Sequence, residues 1–532
     1  MTQSIGLSTS SRTVTYSKDG MVATSQPLAA EAGAKMLRRG GNAIDAAIAM
    51  AAALTVVEPT SNGLGGDAFA IVETNQSIKG FNGSGRAPAS ISIDALKARG
   101  MNTMPKLGII PVTVPGAVKL WADLHKQYGA LPFEDVLAPA ILLAENGYPV
   151  SPVVSHSWQR AQRSYKNAQA HFPYDQWARV FTQNGKTPKP GDVITLKGHA
   201  KALKAIAKTK GNDFYEGDIA KAIIKTVENL NGFLSLEDLK NHTTTESPLM
   251  NMRYHGGEII ELAPNTQGVI ALEALGIMHY KNALSREANL HASIEAMKHA
   301  FSDGLHHITD LNDMSFNPEA FLTPSFLKAR ANALKDTAQI PKAVSPKKGG
   351  TVYLATADQY GSSVSFIQSN YMGFGSGVVV DAYGIALQNR GHTFSLNPDH
   401  ANALKGNKRS YHTIIPGYIK LPDGRQGPFG VMGGFMQPQG HMQVAMHLID
   451  DNMTVQEALD APRWQWLKAN ELAVESCFDA SLINALKKRG HVITLFEDPT
   501  TFGRGQIILR NPLTHVLEGG CERRADSHIA LP

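Results

Sequence analysis

The sequence predicts an α+β fold, and three observations carry that expectation. Helical periodicity fills much of the first two thirds of the chain, and a strand-period hairpin opens the last third. Of the 532 residues, 43% are hydrophobic and 18% charged, enough apolar surface to cover both kinds of element and too little charge for a disordered chain. At about 150 residues per domain the length alone accommodates three or four domains.

The elements follow in order. Pro27 to Leu37 reads as a helix stopped by Gly40 and Gly41, and Asn42 is placed to cap a second helix from Ala43 to about Val57. That second helix is apolar on nearly every face, so other layers must cover it. Ser61 to Asp67 is a glycine-rich loop leading into the strand-like Ala68 to Val72. It lacks the phosphate-binding lysine and enters a strand, so a plain turn is the reading that fits. The middle region, about Val114 to Thr323, is mostly helical by period, with amphipathic stretches at Leu196 to Lys208, Ser235 to Lys240 and Leu290 to Phe301. Ser235 and Asp238 have capping-box spacing, and Met252 to Leu262 reads as extended chain. Residues 331–350 are polar, lysine-rich and proline-containing, a linker. Beyond it Thr351 to Ala357 alternates as a strand, Asp358 to Gly361 turns, and Ser362 to Ser369 returns. Further strands are predicted at Gly377 to Gln388, His412 to Ile419 and Gly430 to Met432. Helices follow at Gln439 to Asp450 and from Thr454 to Asp460.

Several function classes fall away. The 51 Lys and Arg against 46 Asp and Glu leave +5, with no basic run of five; the densest spots, Lys201 to Lys210 and Lys342 to Lys348, are short. Nucleic acid is therefore not an expected partner. Cys477 and Cys521 have no CxxC spacing, which excludes a zinc ribbon and leaves one bridge between them open. The N-terminus lacks a basic segment followed by an apolar one. The longest uncharged apolar run, Ala46 to Val57, is 12 residues against about 20 for a membrane span. A cytoplasmic address and no membrane partner are the expectation. There is no GxSxG elbow, no HExxH and no Walker lysine, and the histidines show no ligand spacing, so no metal is expected.

What remains is a hydroxyl at a junction. Gly349-Gly350-Thr351 sets a threonine where a linker meets a buried strand. Cleavage of the Gly350–Thr351 bond would give Thr351 a free α-amine beside its own hydroxyl, the arrangement of an N-terminal threonine nucleophile carrying its own base. The same hydroxyl can make the cut by attacking the Gly350 carbonyl. By spacing alone, a threonine that merely begins a strand fits as well.

Ordered blocks of sequence then resemble the γ-glutamyltransferase family of N-terminal-nucleophile hydrolases over nearly the whole chain. They are Met21 to Gly33, Gly40 to Ile48, Gly63 to Asp67, Val114-Pro-Gly116, Phe214 to Gly217, Glu295-Ala-Met-Lys298 and Gly433-Gly434. The resemblance implies a four-layer αββα sandwich made as a proenzyme. Its large chain would be residues 1–350 and its small chain residues 351–532, in one intertwined fold. By family position Thr351 is the nucleophile, Gly433 and Gly434 the oxyanion hole, and Ser369 replaces a threonine beside the nucleophile. No cofactor is implied, since the nucleophile supplies its own base. The departures matter more. Where the family grips an α-amine with an Asn, a Gln or Glu, and an Asp, this chain has Tyr371, Arg390 and Thr393. The serine pair for the α-carboxylate is His412-Thr413, and Arg86 is the candidate substitute for a carboxylate-binding arginine. A cation beside an ammonium is repulsive, so Arg86, Arg390 and His412 suit an acid without an adjacent amine. The expected substrate is a small acidic acyl amide, oxamate-like or glutaryl-like, hydrolysed through an acyl-Thr351 ester. Glutathione hydrolysis or γ-glutamyl transfer is the second reading, and a non-catalytic binding relative the third. Oligomeric state stays open, with a homodimer of the processed unit among the alternatives.

Overall fold

A computed structural model describes residues 12–281, 285–341 and 350–532. The first eleven residues, the Lys342 to Lys348 cluster and Gly349 lie outside the described residues. Two seven-stranded antiparallel sheets form the centre. One runs in the order His528–Ala530, Gly20–Thr24, Gly350–Asp358, Ser363–Tyr371, Asp67–Thr74, Ser77–Asn82, Thr245–Ser247. The other runs Thr15–Ser17, Leu517–Cys521, Arg504–Arg510, Gln426–Met432, Gly417–Lys420, Gly257–Leu262, Leu249–Tyr254.

The two-residue period of the strands explains the stacking. In the first sheet Val22, Ala68, Ala70, Val72, Val352, Leu354, Val364 and Phe366 face a helical core. Their neighbours Met21, Ala23, Phe69, Ile71, Tyr353, Ala355 and Ile367 face Ile260, Leu262, Tyr418, Met432 and Ile508 of the second sheet. A third core, with Ile259, Ile419, Phe429, Val431 and Ile507, joins that second sheet to its own helices. Three cores between four layers give the αββα sandwich. Met21 to Ala23 and Ala68 to Val72, buried on both faces, read as unbroken apolar runs, and each large side chain so buried is worth about 1.5–3 kcal/mol.

The helix Ala43–Val57 lies wholly inside, under Pro27–Arg38 and Phe133–Asn146. Asn42 caps it by accepting from the amides of Ile44 and Asp45, and Asp45 returns a bond to the Asn42 amide. Its first residue is tied to the central strand. Thr356 Oγ1 donates to the Ala43 carbonyl at 2.8 Å, and Asp358 accepts from the Ala43 amide at 2.9 Å. Among the described residues no helix is long and apolar enough to cross a membrane.

Several sequence expectations need correction. Met252 to Leu262 is the inner part of a hairpin, Leu249–Tyr254 and Gly257–Leu262, turned by His255 and Gly256 at φ +43° and +90°. A histidine in the left-handed region hid that turn. His412 to Ile419 pairs as a strand only from Gly417, because the backbone of 412–415 bonds instead to Asn265, Gln267 and the Gln437 side chain. Gly377 to Gln388 holds only the two-residue strands Val379–Val380 and Ile385–Ala386. Residues 331–333 of the expected linker end the helix Pro324–Ala333, whose proline suits a first-turn position. The helix read from Gln439 starts at Met436, one residue beyond the Gly433–Gly434 pair. Cys477 is exposed, Cys521 buried, and both are free thiols.

The segment after that helix is fastened to a buried charge pair. Lys298 Nζ lies 2.7 Å from Glu295 Oε1, both side chains fully buried, and donates to the Gln339 carbonyl at 3.1 Å; Glu295 Oε2 accepts from the Gln339 amide at 3.0 Å. Lys298→Met strands a carboxylate in the core and is expected to cost about 3–5 kcal/mol by urea unfolding. Glu295→Met together with Lys298→Met should recover most of it. A double variant no more stable than the single would show that the pair's charges are not what that core depends on.

Candidate active site

Thr351 sits where the first sheet opens toward the second. Strand parity places it two residues before Tyr353, on the face between the sheets, and Ser369 likewise two residues after Ile367. The pairing of these strands slips by one residue between Gly350 and Val352, so Ser369 and Asn370 together stand opposite Thr351 in a bulge of the Ser363–Tyr371 strand. Its Oγ1 donates to Ser369 Oγ at 3.3 Å and receives a bond from Gln437 Nε2 at 3.5 Å. Ser369 Oγ in turn donates to the Gly350 carbonyl at 2.6 Å and accepts from the Tyr371 amide at 2.7 Å. The backbone of Gly66 runs against Ser369: a Cβ there would stand 2.6 Å from the Ser369 carbonyl oxygen.

Gly433 and Gly434 close the other side. They end the strand Gln426–Met432 at φ +143° and +62° and lead into the helix Met436–Ile449. Gln267, fully buried, pins this turn: its Nε2 donates to the carbonyls of Gly434, at 2.9 Å, and Thr413, while its Oε1 accepts from Tyr411 at 2.8 Å. A cleft of about 300 Å³ reaches Gly350 and Gly433 from solvent, with Ser61, Tyr165, Met372 and Arg504 among its walls.

Behind Ser369 lies a buried cation. Arg390 is 0% exposed; its Nη1 donates to Thr413 Oγ1 at 2.9 Å and its Nη2 to Ser369 Oγ at 3.5 Å. The guanidinium carbon stands 4.3 Å over the ring of Tyr371, a cation–π contact, while Nε has no partner among the described residues. Among the described residues no carboxylate forms a salt bridge with it. Burial pulls its pKa down to about 10, still charged at neutral pH. Tyr371 adopts φ +77°, a conformation that costs a residue with a Cβ about 1–2 kcal/mol, and burial raises its phenol to about 12. Thr393 bonds the Arg390 and Tyr411 carbonyls, holding the turn instead of facing the cleft.

Asp67, named in the sequence only as the end of a glycine-rich loop, joins this network. Its Oδ1 accepts from the amides of Gly85 and Gly116 and from Gln388, and its Oδ2 faces His412 Nε2 at 3.1 Å. The Ile414 amide lies 3.4 Å from His412 Nδ1. Burial, with Arg390 and Arg409 nearby, holds the His412 pKa well below the ordinary histidine value, and the ring is neutral. Thus Tyr371, Arg390 and Thr413 are brought together beside Ser369, whereas His412 is engaged with Asp67. Arg86 is not in this group. It pairs with Asp310 at 2.8 Å, donates to the Asn407 carbonyl, and lines a separate cavity of about 180 Å³.

Gln267 and Gln437 escaped the sequence reading. The available signal was polar side chains at positions with no solvent face: Gln437 opens the helix behind the glycine pair, and Gln267 sits among turn residues. Elsewhere, ligand atoms of His291, Glu295 and His491 lie within 4.8 Å of one another, but the Lys298 ammonium already stands against Glu295.

A two-sheet sandwich presenting a strand-leading threonine beside a glycine turn defines an amide hydrolase of the N-terminal-nucleophile class. The sequence model of γ-glutamyltranspeptidase matches residues 29–531, and the chain belongs to that family. The glutathione hydrolase-like YwrD proenzyme of Bacillus subtilis is 34% identical over 520 residues, covering 95% of this chain and 97% of the relative. The oxamate amidohydrolase proenzyme of Klebsiella pneumoniae is 33% identical, covering 97% and 98%. Among solved structures, a cephalosporin acylase from Bacillus halodurans shares 49% identity at a TM-score of 0.95, covering 100% of this chain and 99% of that one.

Burial raises the Asp67 carboxyl to about 7, against 3.8 for a free aspartate, with Arg390 opposing the shift. Below pH 7 Asp67 is neutral; above it, an anion offsets Arg390. The KM for an anionic amide is therefore expected to rise as pH climbs through about 7, and Asp67→Asn should flatten that rise. The matching stability contribution is complete below about pH 4 and lost as pH rises through 7. An Asp67→Asn enzyme with the wild-type KM profile would assign the titration to another group.

Proposed function

We propose that the chain cuts itself between Gly350 and Thr351 and then hydrolyses the amide bond of a short dicarboxylic monoamide. Residues 1–350 become a large chain and 351–532 a small one. The single observation that carries the substrate reading is Arg390, a buried guanidinium with no salt bridge among the described residues, one hydroxyl away from Thr351.

In the cut, Thr351 Oγ1 attacks the Gly350 carbonyl carbon, the C–N bond breaks, and the freed α-amine takes the hydroxyl's proton. Ser369 Oγ, already 2.6 Å from the Gly350 oxygen, donates to the charge that develops there. Water then hydrolyses the Gly350 ester, which leaves Thr351 with its amine as general base. In turnover the same hydroxyl attacks the substrate carbonyl. The amides of Gly433 and Gly434 are the proposed donors to the oxyanion, each worth on the order of 100- to 1000-fold in rate. The amine product departs, and water releases the acid from the acyl-Thr351 ester. On denaturing gels wild-type protein is expected to run as bands of about 38 and 20 kDa, taking mass in proportion to length, and Thr351→Ala as one full-length band. Wild-type protein that stays whole for days would falsify self-cleavage.

Arg390 also sets a length. Its Nη2 lies 3.5 Å from Ser369 Oγ, which lies 3.3 Å from Thr351 Oγ1, so cation and nucleophile stand two hydrogen-bond lengths apart. An acid group joined directly to the reacting carbonyl, or one or two carbons away, reaches the guanidinium; the three methylenes of a glutaryl group are longer than that gap. The 33% identical oxamate amidohydrolase supports the short end. Across oxamate, succinamate, a glutaryl anilide and a γ-glutamyl anilide, kcat/KM is expected to be highest for the short acids. Arg390→Gln should lower it at least about 30-fold for them. Strong turnover of the γ-glutamyl anilide alone would overturn this assignment in favour of a γ-glutamyl hydrolase or transferase.

A further inference from the structure

With Arg390 taking the acid end of the proposed substrate, the cleft at Gly350 is the way out for its amine end. The cleft at Gly350 runs on into a second cavity of about 660 Å³, and Lys106, Leu107 and Ser164 wall both. Ile109, Ile110 and Phe172 give the second cavity an apolar wall, Arg99 and His171 also line it, and Lys106 is shared by both spaces.

The lysine rides on a fastened loop. The Lys106 carbonyl accepts from Asn389 Nδ2 at 2.8 Å, the Met104 carbonyl lies 2.9 Å from His392 Nδ1, and the Gly108 amide donates to Ser376 at 2.9 Å. Asn389 and His392 flank Arg390, so the loop is fixed against the turn that carries the buried cation. The other cations of the first cleft are paired, Arg160 with Asp498 and Arg504 with Glu58. Lys106 is exposed and has no ion pair among the described residues.

We propose that this groove is the subsite for the leaving amine, and that it takes an amine with an apolar ring or chain bearing an anionic group. The apolar body lies along Ile109, Ile110 and Phe172, and the anion meets Lys106. The inference rests on Thr351 as nucleophile but not on which acyl group Arg390 selects.

The test pairs two amides of one acyl group, the 4-aminobenzoate amide and the plain anilide, and follows the ratio of their kcat/KM values. The acyl contribution cancels within each ratio. Intrinsic leaving-group reactivity cancels when a variant's ratio is compared with that of wild type. Lys106→Ala is expected to shift the ratio about threefold toward the anilide and Lys106→Glu about tenfold, with both shifts shrinking at high salt. Ser164→Trp, which fills the junction, should slow both aryl amides and leave the primary amide of the same acid unchanged. Ratios that do not move with charge at 106 would overturn the proposal. If neither aryl amide of a short diacid is turned over, the acyl assignment fails instead, and the ratios are then measured with the γ-glutamyl pair.

Discussion

Burial of the strands Gly350–Asp358 and Ser363–Tyr371 on both faces is the constraint from which the site follows. Alternate residues must feed two different cores, so the two-residue parity leaves no freedom about where Thr351 and Ser369 stand. Both fall on the inter-sheet face, at the end of the hairpin where the sheets part. The second sheet brings Gly433, Gly434 and Gln437 to the same mouth. A slip of one residue would turn the hydroxyls into the helical core and place Tyr353 among alanines.

Where parity or helical period governed, the sequence was readable. The Ala43–Val57 helix, its Asn42 cap, the Ser235 capping box, the helix ending at Asp460 and the central hairpin were all legible in the sequence. The Thr351–Ser369 pair came from the same hairpin together with the family resemblance. The failures share another cause. His412 to Ile415 has strand composition, yet its backbone bonds to a turn some 145 residues earlier, and no local pattern encodes that choice. Arg86 sat near the expected position but found Asp310, which only the fold brings within reach.

The electrostatics of the buried pocket explain why its members were hard to assign singly. Asp67, His412 and Arg390 are all removed from water, and the Arg390 charge and fixed dipoles together hold the Asp67 carboxyl. Three donors satisfy one oxygen of Asp67, and His412 stays neutral. A guanidinium in such surroundings keeps its attraction for an anion, because little solvent competes for it. The strained backbone of Tyr371 belongs to the same arrangement, since it turns the ring beneath Arg390 and its amide toward Ser369.

One consequence comes from the order of strands in the two sheets. Gly350–Asp358 and Ser363–Tyr371 lie between Gly20–Thr24 and Asp67–Thr74, and Gly257–Leu262 borders Gly417–Lys420. Segments from either side of residue 350 are thus interleaved within single hydrogen-bonded sheets, and separating them means tearing both sheets apart. Breaking the peptide bond there removes a connection without releasing a piece, and dissociation of the two chains is the same event as unfolding. In a chain cut there, dilution should therefore not inactivate the protein, and the two polypeptides should share a single melting transition.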